Sequence, residues 1–490
     1  MWAYSIMELT VFLILIALIV KKGLIQREEL SFPLFFPIIA FLALILLQMT
    51  PLPPPAVKLL SPKTYEFYSE TLDRYPKEMG EARGEGKTIK TVGFRGQRLE
   101  VGGKTPEIKN RNGFFQNWRT LSVYPHATRT ELLKILSYLG IFLLIVNYVD
   151  SKRKLMRIGT IIVFSGIIVA LLGIVQKVAS AHKIYWFWEP LYRKDASFFG
   201  SFVNPNHFAG YIEMVVPVSI GLFIVKWGNL TKDKLRGIRE FLIKIGNEEG
   251  CKLILFSFFI VLMVGALFLS SSRGGIISFL GSMIFLLLMI IKREKGRQNI
   301  FIIIGLLISV FSLLIWMGIR PLLEEFSSIQ DLSKDYDIQY RFQNWRDMGK
   351  SIQDFPLFGV GLETFSRIFP KYKTIGLQYY YLYLENDYLQ LLCEVGIIGF
   401  GIFLWFILSF FRQMGSGYSK YEVEGISSVR YISFYGCLTG VIAIMIHSFW
   451  DFNTHIPSNA LLLSMILGLA ISGVRIDPKG YSKNSQRRAS

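Results

Sequence analysis

A few short stretches of the chain bring together carboxylates, guanidinium groups and imidazoles. Glu385, in Leu384-Glu385-Asn386-Asp387-Tyr388-Leu389-Gln390, is a candidate general base. A carboxylate in a low-polarity setting gains the basicity needed to take a proton from a hydroxyl. Asp387 is the competing carboxylate, with a helix N-cap as its structural alternative. Arg273, in Ser270-Ser271-Ser272-Arg273-Gly274-Gly275, can hold a phosphate through paired N–H groups, and the two glycines let a backbone approach closely. Snorkelling of that arginine to lipid headgroups is the other reading. In Arg341-Phe342-Gln343-Asn344-Trp345-Arg346, Arg341 and Trp345 share one helix face at i, i+4 spacing. Pro356 with Gly359 and Gly361 then marks a shaped turn.

Two further groups carry imidazoles. In Gly200-Ser201-Phe202-Val203-Asn204-Pro205-Asn206-His207-Phe208-Ala209, Pro205 biases Asn204 away from the helical region and starts the next helix. Asn206 and His207 then expose donors at a positive helix end, suited to anionic or hydroxyl groups; a capped helix start is the alternative. In His447-Ser448-Phe449-Trp450-Asp451-Phe452-Asn453-Thr454-His455, His447 and Asp451 pair at i, i+4 if the helix continues. The competing reading has these polar groups simply facing headgroups. His207, His447 and His455 lack tight ligand spacing, so no metal site is expected. Cys251, Cys393 and Cys437 are scattered, which argues against a disulfide framework or a thiolate site. No Walker-type phosphate loop is present, so direct ATP hydrolysis is unsupported and no cofactor is expected.

The elements that must position these residues are membrane helices. Hydrophobic residues make up 52% of the chain and mean hydropathy is +0.40, too apolar for a soluble enzyme of this length. Apolar runs recur at roughly the length that crosses a ~30 Å hydrocarbon layer. They are Ile6–Val20, Phe35–Met49, Leu132–Val149, Ile158–Val178, Phe208–Lys226 and Leu253–Leu269, then Ile276–Ile291, Ile300–Met317, Tyr388–Phe411, Ile432–Ile446 and Ala460–Gly473. The predicted fold is an all-α polytopic integral membrane protein with about 11 (10–12) spans. Lys21 and Lys22 follow the first run and no basic residue precedes it, so it reads as a span rather than a cleaved signal.

The formal charge of +18 is explained by position rather than by a nucleic-acid partner. Basic residues cluster in alternate short connections, such as Lys152-Arg153-Lys154 and Lys292-Arg293, and in the tail ending Arg487-Arg488; these are assigned to the cytoplasm. The expected organisation is two spans in 1–50, an outer loop with a possible strand element in 51–130, and six spans in 131–318. A catalytic outer loop over 319–387, three spans in 388–475 and a basic tail at 476–490 follow. An aromatic segment, Tyr185-Trp186-Phe187-Trp188, reads as an interfacial anchor or as a platform for a lipid-linked substrate.

The ordered set of motifs resembles the O-antigen ligase/polymerase family of bacterial membrane glycosyltransferases. The matching stretches are Gly200–Ala209, Ser272–Gly275, Arg341–Trp345, Pro356–Gly361, Asn386–Gly399 and His447–Ala460. The resemblance implies a polyprenyl-diphosphate-linked glycan donor, a lipid or glycan acceptor, chemistry on the outer face of the cytoplasmic membrane, and no metal. By motif match Arg273 and Arg341 are the donor diphosphate contacts. Family ligases usually carry histidine before the Asn of Asn-x-Tyr-Leu, where this chain has Glu385, so the carboxylate becomes the expected base and His447 a substitute. The expected site is therefore Glu385, His447 and Asp387 for proton transfer, with Arg273, Arg341, Asn204, Asn206, His207, Trp345 and Asp451 binding substrate. Surface-polysaccharide ligation and polymerisation share this chemistry with protein O-glycosylation. A solute or anion transporter is the alternative from another class, and it requires ionisable groups near mid-membrane.

Overall fold

In lipid a backbone can satisfy its polar groups only internally, so long apolar runs become helices. The computed structural model describes residues 2–26, 29–72, 117–189, 198–231, 238–291, 305, 336–376, 380–420 and 431–476. Among these residues the regular structure is helical, with only isolated bridges such as Leu52 to Arg119. The helices are α1 (Trp2–Ile19), α2 (Phe35–Met49), α3 (Pro54–Leu60), α4 (Pro62–Thr71), α5 (Pro125–Tyr148) and α6 (Lys152–Val178). Next come α7 (Pro205–Leu230), α8 (Ile238–Gly246), α9 (Glu248–Leu269) and α10 (Arg273–Ile291). The last group is α11 (Tyr336–Asp354), α12 (Phe365–Ile368), α13 (Asp387–Lys420), α14 (Leu438–His447) and α15 (Pro457–Arg475).

Seven of the described helices (α5, α6, α7, α9, α10, α13 and α15) are long and apolar enough to cross a membrane, and α2 and the stretch Tyr435–His447 are shorter apolar helices. Every expected span apart from 300–317 falls on a described helix; that one lies outside the described residues except for Gly305. The strand element expected in 51–130 does not occur in its described flanks, which fold as α3 and α4, while 73–116 lie outside the described residues.

The bundle is organised around α7, which is almost wholly buried and packs against α6, α9, α10, α14 and the π-helical turn Tyr431–Cys437. Gly436 and Gly440 permit this closeness on one side. A Cβ at 440 would meet Met214 O at 2.9 Å, and one at 436 would meet the Val218 Cα at 3.0 Å. Small residues four apart let membrane helices approach to backbone contact. The polar end of α14 is thereby held against the N-terminal half of α7.

A second device shapes the N-terminal part of α13. The helix is interrupted at Gly396, with φ 64 and ψ −173, a backbone region essentially reserved for glycine. The interruption frees backbone groups that pair with the Pro356–Gly361 turn. Val360 N donates to Cys393 O at 3.0 Å, Gly361 N to Glu394 O at 3.0 Å, and Ile397 N to Pro356 O at 2.8 Å. Gln48 of α2 closes the arrangement, its Nε2 donating to Phe358 O at 2.7 Å and Glu394 O at 2.8 Å. Irregular backbone inside an apolar helix is tolerated because protein partners satisfy it.

Candidate functional site

The loop between α14 and α15, residues 448–456, is the hub that joins the sequence-predicted residues. Asp387, at the start of α13, is bolted to it. Asp387 N donates to Ser448 O at 2.9 Å, its Oδ2 accepts from Ser448 Oγ at 2.7 Å and from Thr454 N at 3.2 Å, and His455 Nδ1 lies 2.9 Å from Oδ1. Asn386 Nδ2 adds a bond to Phe449 O at 3.1 Å. The carboxylate of Asp387 therefore organises the loop.

Arg341 and Trp345, on one face of α11, reach the same loop. Arg341 Nε lies 3.0 Å from Glu385 Oε2, and its Nη1 donates to Trp450 O. Trp345 Nε1 donates to Leu384 O at 3.3 Å, and its ring lies against Trp450 with centroids 6.2 Å apart. Glu385 has φ 59, an uncommon conformation for a residue with a Cβ, and it keeps about a third of its side chain exposed (34%). The left-handed turn aims the carboxylate at Arg341 instead of along α13.

On the α7 side, Asn204 is a helix cap, its side chain accepting from Asn206 N at 2.9 Å. Asn206 occupies the first, half-buried turn of α7. His207 Nε2 lies 3.3 Å from Asp451 Oδ1, with its ring edge-on to Phe452. Burial alone would raise the Asp451 carboxyl; the bond to His207 and the charges of His207, His447 and Arg341 outweigh it and hold the group at about 2. Asn459 Nδ2 ties the loop to α7 by donating to His207 O at 3.0 Å.

The pairing expected between His447 and Asp451 does not form, because α14 ends at His447. His447 Nδ1 instead lies 3.0 Å from Glu213 Oε1, and both side chains are almost wholly buried (1% and 0% exposed). Glu213 lies eight residues into α7, about 12 Å along its axis. On its other side, the His447 ring faces the start of α10, where Ser272 caps the helix by accepting from Gly275 N at 3.2 Å. Arg273 is the first residue of α10, so the Ser272–Gly275 turn, His447 and the Arg341–Glu385 pair are linked through residues 447–450.

A second cluster lies across Asp387. Glu394 Oε2 accepts from Glu363 N at 2.7 Å and its Oε1 from Phe365 N at 3.2 Å, which fixes the turn after Gly361. Gln390 Nε2 lies 3.1 Å from both Glu394 Oε1 and His455 Nε2, and its Oε1 is held by Leu384 N at 2.9 Å. Burial and then Glu131 push the Glu363 carboxyl above its usual range. For His455, burial alone pulls downward, but Asp387, Glu363 and Glu394 together push it up to about 9. A neutral His455 accepts from Gln390; the protonated form offers Nε2–H toward Glu363 Oε2, 3.8 Å away. Glu363, Glu394 and His455 also bring their ligand atoms within 4.8 Å of one another, a set able to hold a cation. A metal there would have to displace both a firmly held imidazole proton and the Gln390 amide, so the donor set suits a hydrogen-bonded network better.

Residues 258–404 match the family model described as O-antigen ligase. This stretch is similar to the O-antigen ligase family. The O-antigen ligase stretch contains Arg273, Arg341, Trp345, Glu385, Asp387 and Glu394, whereas Asn204–Asp451's two ends of the cluster, the α7 start and the 448–456 loop, lie outside it. No curated protein matches the chain. The apolar helices and this family together identify a membrane protein.

Sequence reasoning missed Glu213, Glu363, Gln390 and Glu394, and assigned His455 no partner. Glu213 and Glu394 were detectable in principle. Each is an ionisable residue within an apolar span, which by default marks a functional or organising site.

Proposed function

We propose that the protein transfers a glycan from a polyprenyl-diphosphate-linked donor to an acceptor hydroxyl on the extracytoplasmic face of the bacterial cytoplasmic membrane. The acceptor is a lipid or glycan in surface-polysaccharide ligation or polymerisation. The observation that carries this reading is the Arg341–Glu385 pair, a cation and a carboxylate 3.0 Å apart beside the Ser272–Gly275 turn. Without donor, Arg341 holds Glu385 and lowers its basicity. A diphosphate offers the guanidinium a stronger, doubly charged partner, so donor binding draws Arg341 away and frees Glu385 to act as base.

The acceptor oxygen then bonds the anomeric carbon, the bond from that carbon to the phosphate oxygen breaks, and the acceptor proton passes to Glu385. Polyprenyl diphosphate leaves with its charge facing Arg273 and Arg341, where cations stabilise the departing oxygen. In this reading Asp387, Asp451 and His207 hold the loop in shape, Trp345 braces the Glu385 turn, and Asn204 and Asn206 shape the rim. The test is turnover of lipid-linked glycan in proteoliposomes. Glu385→Gln is expected to lower kcat by about 10²–10⁴-fold, and Arg341→Ala to raise the donor KM; undiminished turnover in both variants refutes the assignment.

Glu213 supports a second reading, since a buried carboxylate inside a span is also what a solute or anion transporter needs. Uptake of labelled anion into the same proteoliposomes, abolished by Glu213→Gln, would favour transport over transfer.

A further inference from the structure

We infer that Trp450, flanked by Trp345 and Phe342, is a stacking platform for the first sugar ring of the donor, the ring bonded to the diphosphate. The inference rests on the glycan-transfer reading and names a specificity residue for it.

The rings come from two elements. Phe342 and Trp345 stand about one turn apart on α11 with ring centroids 5.2 Å apart, and Trp345 lies 6.2 Å from Trp450 of the 448–456 loop. Trp345 is half-buried, whereas Trp450 and Phe342 are 44% and 54% exposed, so open surface lies over the two outer rings. The backbone beneath Trp450 is fixed: its N donates to His447 O at 2.8 Å, and its carbonyl accepts from Arg341 Nη1. An aromatic ring on a fixed turn loses little freedom when a ligand stacks on it. Trp450 also stands between the two arginines assigned to the diphosphate. Its carbonyl holds Arg341, and its Cβ lies against the start of α10, 3.6 Å from where a Cβ on Gly274 would be, next to Arg273. A phosphate held by these arginines carries its sugar one bridging oxygen away, beside Trp450.

Exposed aromatic rings in a membrane protein also serve as interfacial anchors. The neighbouring ion pair decides against that role here. Arg341 and Glu385 keep 20% and 34% of their side chains exposed beside Trp345 and Trp450, and charges held against acyl chains are costly. The surface therefore borders a polar phase. A pyranose suits both parts of it: its C–H face is drawn to the negative face of an indole, and its edge hydroxyls can bond the guanidinium and the carboxylate. A hydrocarbon tail satisfies only the rings, and a free anion only the guanidinium.

The probes are farnesyl diphosphate esterified on its terminal phosphate with methyl or with glucose, two molecules of equal charge. Glucose is chosen because its equatorial hydroxyls leave both ring faces as C–H. Each probe is titrated calorimetrically into the full-length detergent-solubilised protein. Wild type is expected to bind the glucosyl probe about tenfold more tightly than the methyl probe. Trp450→Leu should abolish that preference while keeping affinity for the methyl probe within about twofold, and Trp450→Phe should retain most of the preference. Phe342→Leu should lower it about threefold. An interfacial or lipid-tail role for Trp450 would instead weaken both probes alike, or neither, and either result overturns the platform. Equal binding of the two probes by wild type also overturns it, while leaving the glycan-transfer reading intact. Should Trp450→Leu fail to fold, Phe342→Leu decides alone. Absence of binding of both probes by wild type overturns the platform and the diphosphate donor together.

Discussion

Raising the pH from 6.5 to above 9 should loosen the 448–456 loop, and Asp387→Asn should remove most of that pH dependence. His455 faces Asp387 Oδ1 at 2.9 Å, Glu363 Oε2 at 3.8 Å, and the Gln390 amide at 3.1 Å, with Glu394 behind the amide. Burial opposes the charged ring, but these carboxylates raise it from 6.5 to about 9. A folded-state value above the unfolded one contributes stability that is fully present below 6.5 and is lost as pH rises through about 9. At 1.36 kcal/mol per unit, that shift corresponds to about 3 kcal/mol. Asp387 supplies the largest of the favourable contributions, through both its hydrogen bond and its charge. The assay is thermal unfolding of the purified protein at closely spaced pH values. Wild type should lose Tm between pH 6.5 and 9.5, and Asp387→Asn should start lower and stay nearly flat over the same window. A wild-type Tm that does not fall there, or an Asp387→Asn curve parallel to wild type, would refute the pairing of these groups as the source of loop stability.

Two other perturbations probe the scaffold. Gly396→Ala forces a Cβ into a glycine-only conformation and toward Leu357 O at 2.3 Å, so it should cost at least ~1–3 kcal/mol and lower Tm. Disulfide trapping of a 357/397 cysteine pair would report whether the turn has separated from α13. Gly440→Leu should push α14 off α7, since a Cβ at 440 would already meet Met214 O at 2.9 Å, and reduce folded yield by fluorescence-detected size exclusion. An unaltered elution profile would show that the close helix contact is dispensable.

Much of the fold was legible in the chain because lipid imposes a simple rule. Apolar runs long enough to span must be helical: Phe35–Met49 became α2 with the same ends, and Ile158–Val178 and Leu253–Leu269 became α6 and α9, which start earlier, at Lys152 and Glu248. The Pro205 helix start and the Asn204 cap were also readable, since both depend on neighbours within a turn. So was the shared face of Arg341 and Trp345, which local helix geometry settles.

What only the tertiary structure decided is which charges meet. Residue spacing suggested His447 with Asp451, but α14 stops at His447 and the imidazole turns to Glu213, far away in sequence. The left-handed turn at Glu385 that meets Arg341, and the break at Gly396 that stitches α13 to the Pro356–Gly361 turn, likewise depend on long-range partners. Local rules carry information over about one helical turn. A buried charge, by contrast, takes whichever opposite partner the packing brings within reach, because leaving it unpaired away from water costs more than any local preference supplies.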